Sequence, residues 1–439
     1  MSAREKALFI VQRLREAGYE AYFAGGSVRD MLLGKTPQDY DIATSARPEE
    51  VERVFDQTIP VGAQFGVILV LIGGHAFEVA SFRYDGPYLD GRRPSEVRYG
   101  TLEEDIRRRD FTINGMVYDP VADRVIDLVE GRKDLERGSI RAIGEPGKRF
   151  EEDRLRMLRA VRFAASLKFS IEPATFEAIR QLGPTITQIS WERIGEEITR
   201  ILIEGGARRG FELLDESGLL AVVLPEVAAM KGVEQSPDYH PEGDVFTHTM
   251  LLLGHLDSPS ETLAYGCLLH DVAKPLCARR EAHRITFYGH TEKGAEMAEE
   301  ILKRLKRGRA VWERVSYLTR NHLRHVQAPQ MRLSTLKRFL REEGIEELLE
   351  LTRIDALSSN GDLRYYRFCQ ERLAELKQEE MRPPPLVRGD DLIALGLKPG
   401  PIFAEILRQI EDAQLGGEIQ SREEALQWIR QHYLSEVHR

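Results

Sequence analysis

The sequence predicts a small α/β head followed by a long all-helical remainder. Residues 1 to about 140 alternate helix and strand patterns. From about 145 onward strand signals almost vanish and helical periodicity runs to the end, as in EEDRLRMLRAVRFAASL, WERIGEEITRILIEG and ARRGFELLDESGLL. The stretch MRPPPLV at 381–387 cannot continue a helix and marks a linker. The 439 residues are enough for two to four domains. The expected boundaries are a head at 1–143, a helical neck at 144–205, a helical body at 206–380 and a C-terminal helical tail at 381–439.

In order along the chain, MSAREKALFIVQRLREAGYE reads as an amphipathic helix with acids and bases mixed. It lacks the apolar core and cleavage site of a signal peptide. FAGGSVRDMLLGKTPQDYDIAT, residues 23–44, is the most informative stretch. The Gly25-Gly26 turn lets backbone N–H groups approach a phosphate closely, because no side chain blocks the way. Arg29 falls near the start of the helix that VRDMLLG suggests, where an anion is favoured. Asp39 and Asp41 flank Tyr40 in a stretch that reads as a strand, so alternation puts both carboxylates on one face. Two such carboxylates repel unless a cation sits between them, and Mg²⁺ shared with substrate phosphates is the expected occupant. An exposed polar turn followed by a strand is the bland alternative.

Apolar runs at 67–72 and 77–80 read as strands, the first ending in a Gly73-Gly74 turn. Glu78 lies in the second and can add a third carboxylate to the metal pair. In EEDIRRRDFTINGMVYD at 103–119, Arg109 can fork onto phosphate oxygens while Asp110 and Asn114 can bond sugar hydroxyls. In RFEEDRLRMLRAVRFAAS, Asp153, Arg156 and Arg159 are spaced i, i+3, i+6 and share a helix face, with Leu155, Leu158 and Phe163 on an apolar one. Near the C-terminus, Lys398-Pro399-Gly400-Pro401 marks a turn between two helices.

Hydrophobic residues make up 42% and charged residues 30%, as in a water-soluble globular chain. No apolar run approaches the ~18 residues of a membrane span, so no membrane partner is expected. Three scattered cysteines without a CxxC argue for a reducing compartment, and a cytoplasmic location is expected. The net charge of −9 does not exclude RNA, because binding depends on local basic patches. Candidates are Arg107–Arg109, Lys148–Arg149, Arg154–Arg162, Lys303–Arg309 and Lys337–Arg341, each of which also suits a solvated helix face.

GGSVRD…DYDIAT resembles motif A of the class II nucleotidyltransferases, the group containing CCA-adding tRNA nucleotidyltransferases and bacterial poly(A) polymerases. RRDFTING resembles motif B, with Gly115 where alanine is frequent, and DLVEGRKDLERGSIRAIG resembles the hinge motif C with Asp127 and Gly131 as its marked positions. EEDRLR contains the EDxxR motif, and WERIGEEITRIL resembles motif E, where Glu192 and Arg193 brace the neck. The resemblance implies a polymerase-β-like head with a small mixed sheet. It also implies that Asp153 and Arg156 hydrogen-bond the base edge of incoming CTP or ATP, with Arg159 in a lesser, phosphate-facing role. A carboxylate accepts from the exocyclic amino group that C and A share, and U and G offer a different pattern. The loop at 84–105 resembles the one that helps this family switch from adding C to adding A.

His248, His270-Asp271 and Asp355 have the order H…HD…D of the HD phosphohydrolase superfamily, with an HD domain at about 235–360. His290 and His322 supply two further imidazoles where metal-dependent members have them. Such ligands can hold one or two divalent metals, such as Mn²⁺, Ni²⁺ or Mg²⁺, and activate a water. The implied function is Mg²⁺-dependent, template-independent addition of CMP and AMP from CTP and ATP to the tRNA 3′ end. Partial A-only or CC-only addition, poly(A) synthesis, an HD phosphohydrolase acting on nucleotides or RNA ends, and a non-catalytic RNA-binding protein are the alternatives. The oligomeric state, the metal of the HD site and the tail's contacts with RNA carry no sequence signal.

Overall fold

The computed structural model describes residues 1–62, 66–85, 97–237, 240–241, 243–281, 285–376 and 383–434. The chain divides into two compact units: Met1–Ala229 with Leu256–Glu261 and Ile301–Gly308, and the remainder. Part of the loop expected at 84–105 and the first residues of the 381–387 linker lie outside the described residues.

The first unit opens with helix α1 (Ala3–Glu16), started by a capping box between Ser2 and Glu5. Its buried stripe of Ala7, Ile10, Val11 and Leu14 packs on strand β1 (Ala21–Ala24). Helix α2 (Gly26–Leu32) follows directly, then β2 (Asp41–Thr44), α3 (Pro48–Val54), β3 (Thr58–Gly62), β4 (Val67–Ile72) and β5 (His75–Ser81). Next come β6 (Arg83–Asp85), β7 (Val97–Tyr99), α4 (Leu102–Arg107), β8 (Val117–Asp119) and β9 (Arg124–Ile126). Among the described residues, seven strands form one mixed sheet in the order β3-β4-β5-β2-β1-β8-β9. β2 and β5 run parallel, and the other neighbours are antiparallel. This is the small mixed sheet expected of the head. The strands at 67–72 and around 77–80, and the Gly73-Gly74 turn between them, are found as read from the sequence.

Two expectations are corrected. Asp39 precedes β2, because the ladder with β1 starts at Ala24↔Asp41. Gly25, at φ +65°, turns the chain into α2 at that point, so no partner strand extends to Asp39. Alternation survives locally: Tyr40 is buried between the exposed Asp39 and Asp41. The neck is also not one continuous helix.

Beyond α5 (Gly131–Arg137), α6 (Pro146–Glu152) ends at Asp153, whose backbone is extended, and α7 (Leu155–Leu167) starts afresh. Asp153 accepts from the Leu155 backbone N–H at 3.1 Å, a local bond that competes with continuing the helix. Asp153 therefore does not share a helix with Arg156 and Arg159. After α8 (Pro173–Leu182), helix α9 (Trp191–Ile203) packs on α7, tied by the buried Arg162–Glu197 pair at 2.7 Å.

In the second unit, helices Val245–Gly254, Glu261–Leu269, Arg309–Asn321 and Ile345–Ser358 bring the histidine motifs together. Pro401 opens the helix Pro401–Gly416 after the expected turn, and Val387, Leu392, Ile406, Ile410 and Ile429 form a small core of the tail. Cys267, Cys277 and Cys369 are free. Among the described residues no helix is long and apolar enough to cross a membrane.

Candidate active site and a second, histidine-rich site

Gly25, at φ +65°, turns the chain from β1 into α2 at the first site. A Cβ there would lie 3.5 Å from Asp41 Oδ2 and 3.6 Å from Arg109 Nη1. The missing side chain thus keeps open the space between a carboxylate and a guanidinium. Asp41 opens β2, and β5 runs beside it with Ile42 opposite Val79, which sets Glu78 close to Asp41. Crowding by the surrounding protein, then the Glu78 charge, push the Asp41 carboxyl up to about 6, against the pull of Arg109. Asp41 is nevertheless open to solvent at its rim. Negative charge that the protein leaves this poorly neutralised suits a bound divalent cation, and carboxylate oxygens are the donors Mg²⁺ prefers.

A cavity of about 840 Å³ opens over these groups. It is lined by Gly25, Gly26, Arg29, Asp39, Asp41, Arg109, Asp110, Asn114, Asp153, Arg156 and Arg159, so the residues expected to hold a nucleotide face one space. Glu78 is not among the lining residues. Arg108, Arg162, Phe163, Ser166, Arg200 and Glu204 line it as well.

The basic residues are not bare. Asp105, buried in α4, forks Arg108 at 2.6 Å and Arg109 at 2.8 Å. Burial alone would raise its carboxyl, but the two guanidiniums outweigh burial and lower it. Arg159 donates Nε and Nη2 to Asp110 Oδ2 at 2.9 and 2.6 Å, and Asn114 Nδ2 donates to Asp110 Oδ1 at 3.3 Å. Arg29 Nη1 donates to Asn114 Oδ1 at 2.9 Å. Arg156 is buried and donates to the Arg149 and Arg108 carbonyls and to Glu152. Asp153 receives both Nη atoms of Arg193, at 3.1 and 2.8 Å. Arg193 thus braces the site through Asp153. The stretch Arg154–Arg162, one of the basic patches, is in large part buried in this wall. In the second unit Arg338 and Arg341 pair with Glu411, so that patch is largely neutralised.

Asp127 accepts from the backbone N–H groups of Val129, Gly131 and Arg132 and so fixes the turn into α5. Spacing in the sequence did not reveal Asp105. Its only signal is the i, i+3 and i, i+4 relation to two arginines, which is common on helix surfaces.

The second site gathers His248, His270, Asp271, His290, His322 and Asp355. His248 Nε2 lies 3.0 Å from Asp355 Oδ1. His270, His290 and His322 present Nε2 at 3.2, 3.5 and 3.8 Å from the Asp271 oxygens. Within this group His248, His270 and Asp271 form one set of converging ligand atoms, and Asp271, His290 and His322 another. His270, His290 and His322 each direct Nδ1 at a backbone carbonyl three residues back: Cys267, Phe287 and Thr319. That bond assigns the proton to Nδ1 and leaves Nε2 as the lone-pair donor, the arrangement that metal-binding histidines use. His270 Nε2, His290 Nε2 and Asp271 Oδ1 are buried without a hydrogen bond of good geometry. Buried polar atoms of this kind call for a partner, and a divalent metal fits them. Burial lowers the His322 pKa to about 3, so its ring is neutral as a ligand must be. Burial would raise Asp271, but the Lys274 ammonium beside it helps to hold it well below the usual range. Lys274, missed in the sequence, lies three residues beyond Asp271, bonded to it at 2.7 Å and to Gln235 at 2.6 Å.

Three family models match the chain: the poly A polymerase head domain at 21–141, the probable RNA and SrmB-binding site of polymerase A at 168–231, and the HD domain at 243–360. The chain is 46% identical over 214 residues to the CCA-adding enzyme of Streptococcus suis strain 05ZYH33, covering 48% of this chain and 53% of that one. It is 48% identical over 211 residues to that of Streptococcus pyogenes serotype M3 strain MGAS315, covering 48% and 52%. The match thus spans about half the length of these curated relatives. Over its whole length the chain is similar to the crystal structure of the Bacillus stearothermophilus CCA-adding enzyme in complex with CTP. The TM-score is 0.76 at 28% identity, covering 100% of this chain and 99% of that one. The fold is therefore that of the CCA-adding enzymes, with a polymerase-type head followed by a mostly helical body.

Proposed function

We propose that this chain, which carries the poly A polymerase head, RNA-binding and HD domains, is a template-independent nucleotidyltransferase. It adds CMP and AMP from CTP and ATP to the 3′ end of tRNA. The observation that carries the reading is that the Gly25-Gly26 turn, Asp39 and Asp41, Asp110 and Asn114, and Asp153 and Arg156 line one cavity. The similarity to CCA-adding enzymes supports the same reading and favours it over A-only, CC-only and poly(A) synthesis.

The reaction joins the RNA 3′-hydroxyl to the α-phosphorus of the nucleotide and releases pyrophosphate. Gly25 and Gly26 give the triphosphate close access to the backbone, and Arg29 and Arg109 neutralise its oxygens. Asp110 and Asn114 face the sugar. Asp153 accepts from the amino group of C or A, and Arg156 donates to a ring acceptor. Asp39 and Asp41, with Glu78 nearby, would hold Mg²⁺, which when bound neutralises the phosphates and activates the attacking hydroxyl. Catalysis of this kind depends on positioning and charge, which suits a wall of pre-paired arginines.

Incubation with tRNA lacking its CCA end and single labelled nucleotides tests the proposal. CMP twice and then AMP once is expected. AMP on a CC end alone, a long A ladder, or no incorporation at all would each sink full CCA addition. Asp41→Ala should lower incorporation by at least about a thousandfold.

The converging Nε2 atoms around Asp271 favour a second activity in the HD domain. The site would hold Mn²⁺, Ni²⁺ or Mg²⁺ and hydrolyse phosphomonoesters or 2′,3′-cyclic phosphates through an activated water. Release of inorganic phosphate from phosphomonoesters, and ring opening of 2′,3′-cyclic phosphates to phosphomonoesters, both abolished by Asp271→Asn, are the matching assays. A cytoplasmic location accords with three free cysteines.

A further inference from the structure

Phe163, on α7, stands in the cavity wall where three guanidinium groups meet. Its ring is 7% exposed. Arg162 Cζ lies 4.3 Å from the ring centroid, and Arg29 and Arg159 Cζ each lie 5.3 Å from it. Phe111 meets the ring edge-on, with centroids 5.9 Å apart and planes at 81°. Three cations around one ring repel one another. Each is offset by a carboxylate: Arg29 by Asp30, Arg159 by Asp110, and Arg162 by Glu197 and Glu204. The π-face adds an attraction that acts on all three, and it strengthens where water is excluded.

The ring also closes a circuit. Arg29 donates to Asn114, Asn114 donates to Asp110, and Arg159 donates to Asp110. Arg29 and Arg159, the two ends of that chain, are both held against Phe163. The circuit contains groups assigned above to the triphosphate and the sugar. Neither base-facing residue belongs to it: Asp153 is held by Arg193, and Arg156 by Glu152 and two carbonyls.

We propose that Phe163 is a positioning residue for the part of the nucleotide common to all four bases, holding Arg29 and Arg159 in register, and that it takes no part in base choice. The inference rests on the nucleotidyl-transfer reading above. Replacing the ring by an aliphatic group of similar bulk should weaken CTP and ATP alike, by about tenfold each, the size of one or two lost cation–π contacts. In steady state the loss should fall mainly on KM for both nucleotides. The preference for CTP and ATP over UTP and GTP should be unchanged.

The test is calorimetric titration of the full chain with Mg·CTP and Mg·ATP, with UTP and GTP as controls. Phe163→Leu and Phe163→Met remove the ring, and Phe163→Tyr keeps it. The methionine variant serves if the leucine variant fails to fold. The expected result is an equal loss for both ring-less variants, with Phe163→Tyr within about threefold of wild type. Unchanged binding in the ring-less variants overturns the inference alone, as does a loss confined to one nucleotide. An equal loss in Phe163→Tyr would make packing the cause and overturn it too. Wild-type protein that binds neither nucleotide would overturn the nucleotide reading and this inference with it.

Discussion

Asp41 holds a proton more tightly in the folded, metal-free protein than a free aspartate does, because its crowded surroundings and Glu78 disfavour the charged form. Between its ordinary value and about 6 the folded state binds more protons than the unfolded one. Stability of the metal-free protein should therefore fall as pH rises through that window. Mg²⁺ added below pH 6 should release protons and recover stability, and the recovery should grow with pH. Thermal melts at several pH values with and without Mg²⁺ would show it, and a pH-independent Mg²⁺ effect would refute it.

Asp110 behaves in the opposite sense. Burial would raise it, but Arg159 and its hydrogen bonds outweigh burial and lower it. Arg159→Met should cost about 2–4 kcal/mol at neutral pH, because it leaves a buried carboxylate without its main partner. That penalty should shrink as pH falls through the carboxylate range and Asp110 takes up a proton. Urea unfolding at pH 7 and pH 4 separates the two cases.

The helix expected across the EDxxR stretch was legible in periodicity, but its break was not. Leu155, Leu158 and Phe163 are buried, as their spacing predicts. Asp153 leaves the helix because its carboxylate serves the Leu155 N–H and Arg193, and Arg193 is 40 residues away. Spacing arguments see neighbours within a few residues and miss such a partner. The turn into α5 shows the same limit. Gly131 stands in the hinge motif, and its reason is spatial: a Cβ would press on the Thr112 carbonyl oxygen and come within 2.9 Å of Met116 Cγ. Gly131→Ala should destabilise the first unit by about 1–3 kcal/mol through overpacking, and denaturant titration would detect it.

The two sites lie in different compact units, so their chemistries should separate. Asp271→Asn and His270→Ala should abolish phosphate-ester hydrolysis and bound divalent metal, read by metal analysis of the purified protein, while leaving CMP and AMP incorporation within about twofold, since groups that share no partners contribute independently. Loss of incorporation in both variants, with the fold intact, would show that the sites are coupled.

Residue chemistry and its order along the chain were determined by the sequence alone. The glycine turn before an aspartate pair, the RRD…N grip, the EDxxR stretch and the H…HD…D series are all local strings, and strand and helix periods follow from local patterning. Tertiary structure decided which charges are already paired: Asp105 takes two arginines, Asp153 takes Arg193, and Asp110 takes Arg159. It also decided that His270, His290 and His322 share one tautomer and surround Asp271, and that Phe163 sits among three guanidiniums. Ion pairing, desolvation and ring contacts depend on separations of a few ångström between residues far apart in the chain, and those separations exist only once the chain is packed.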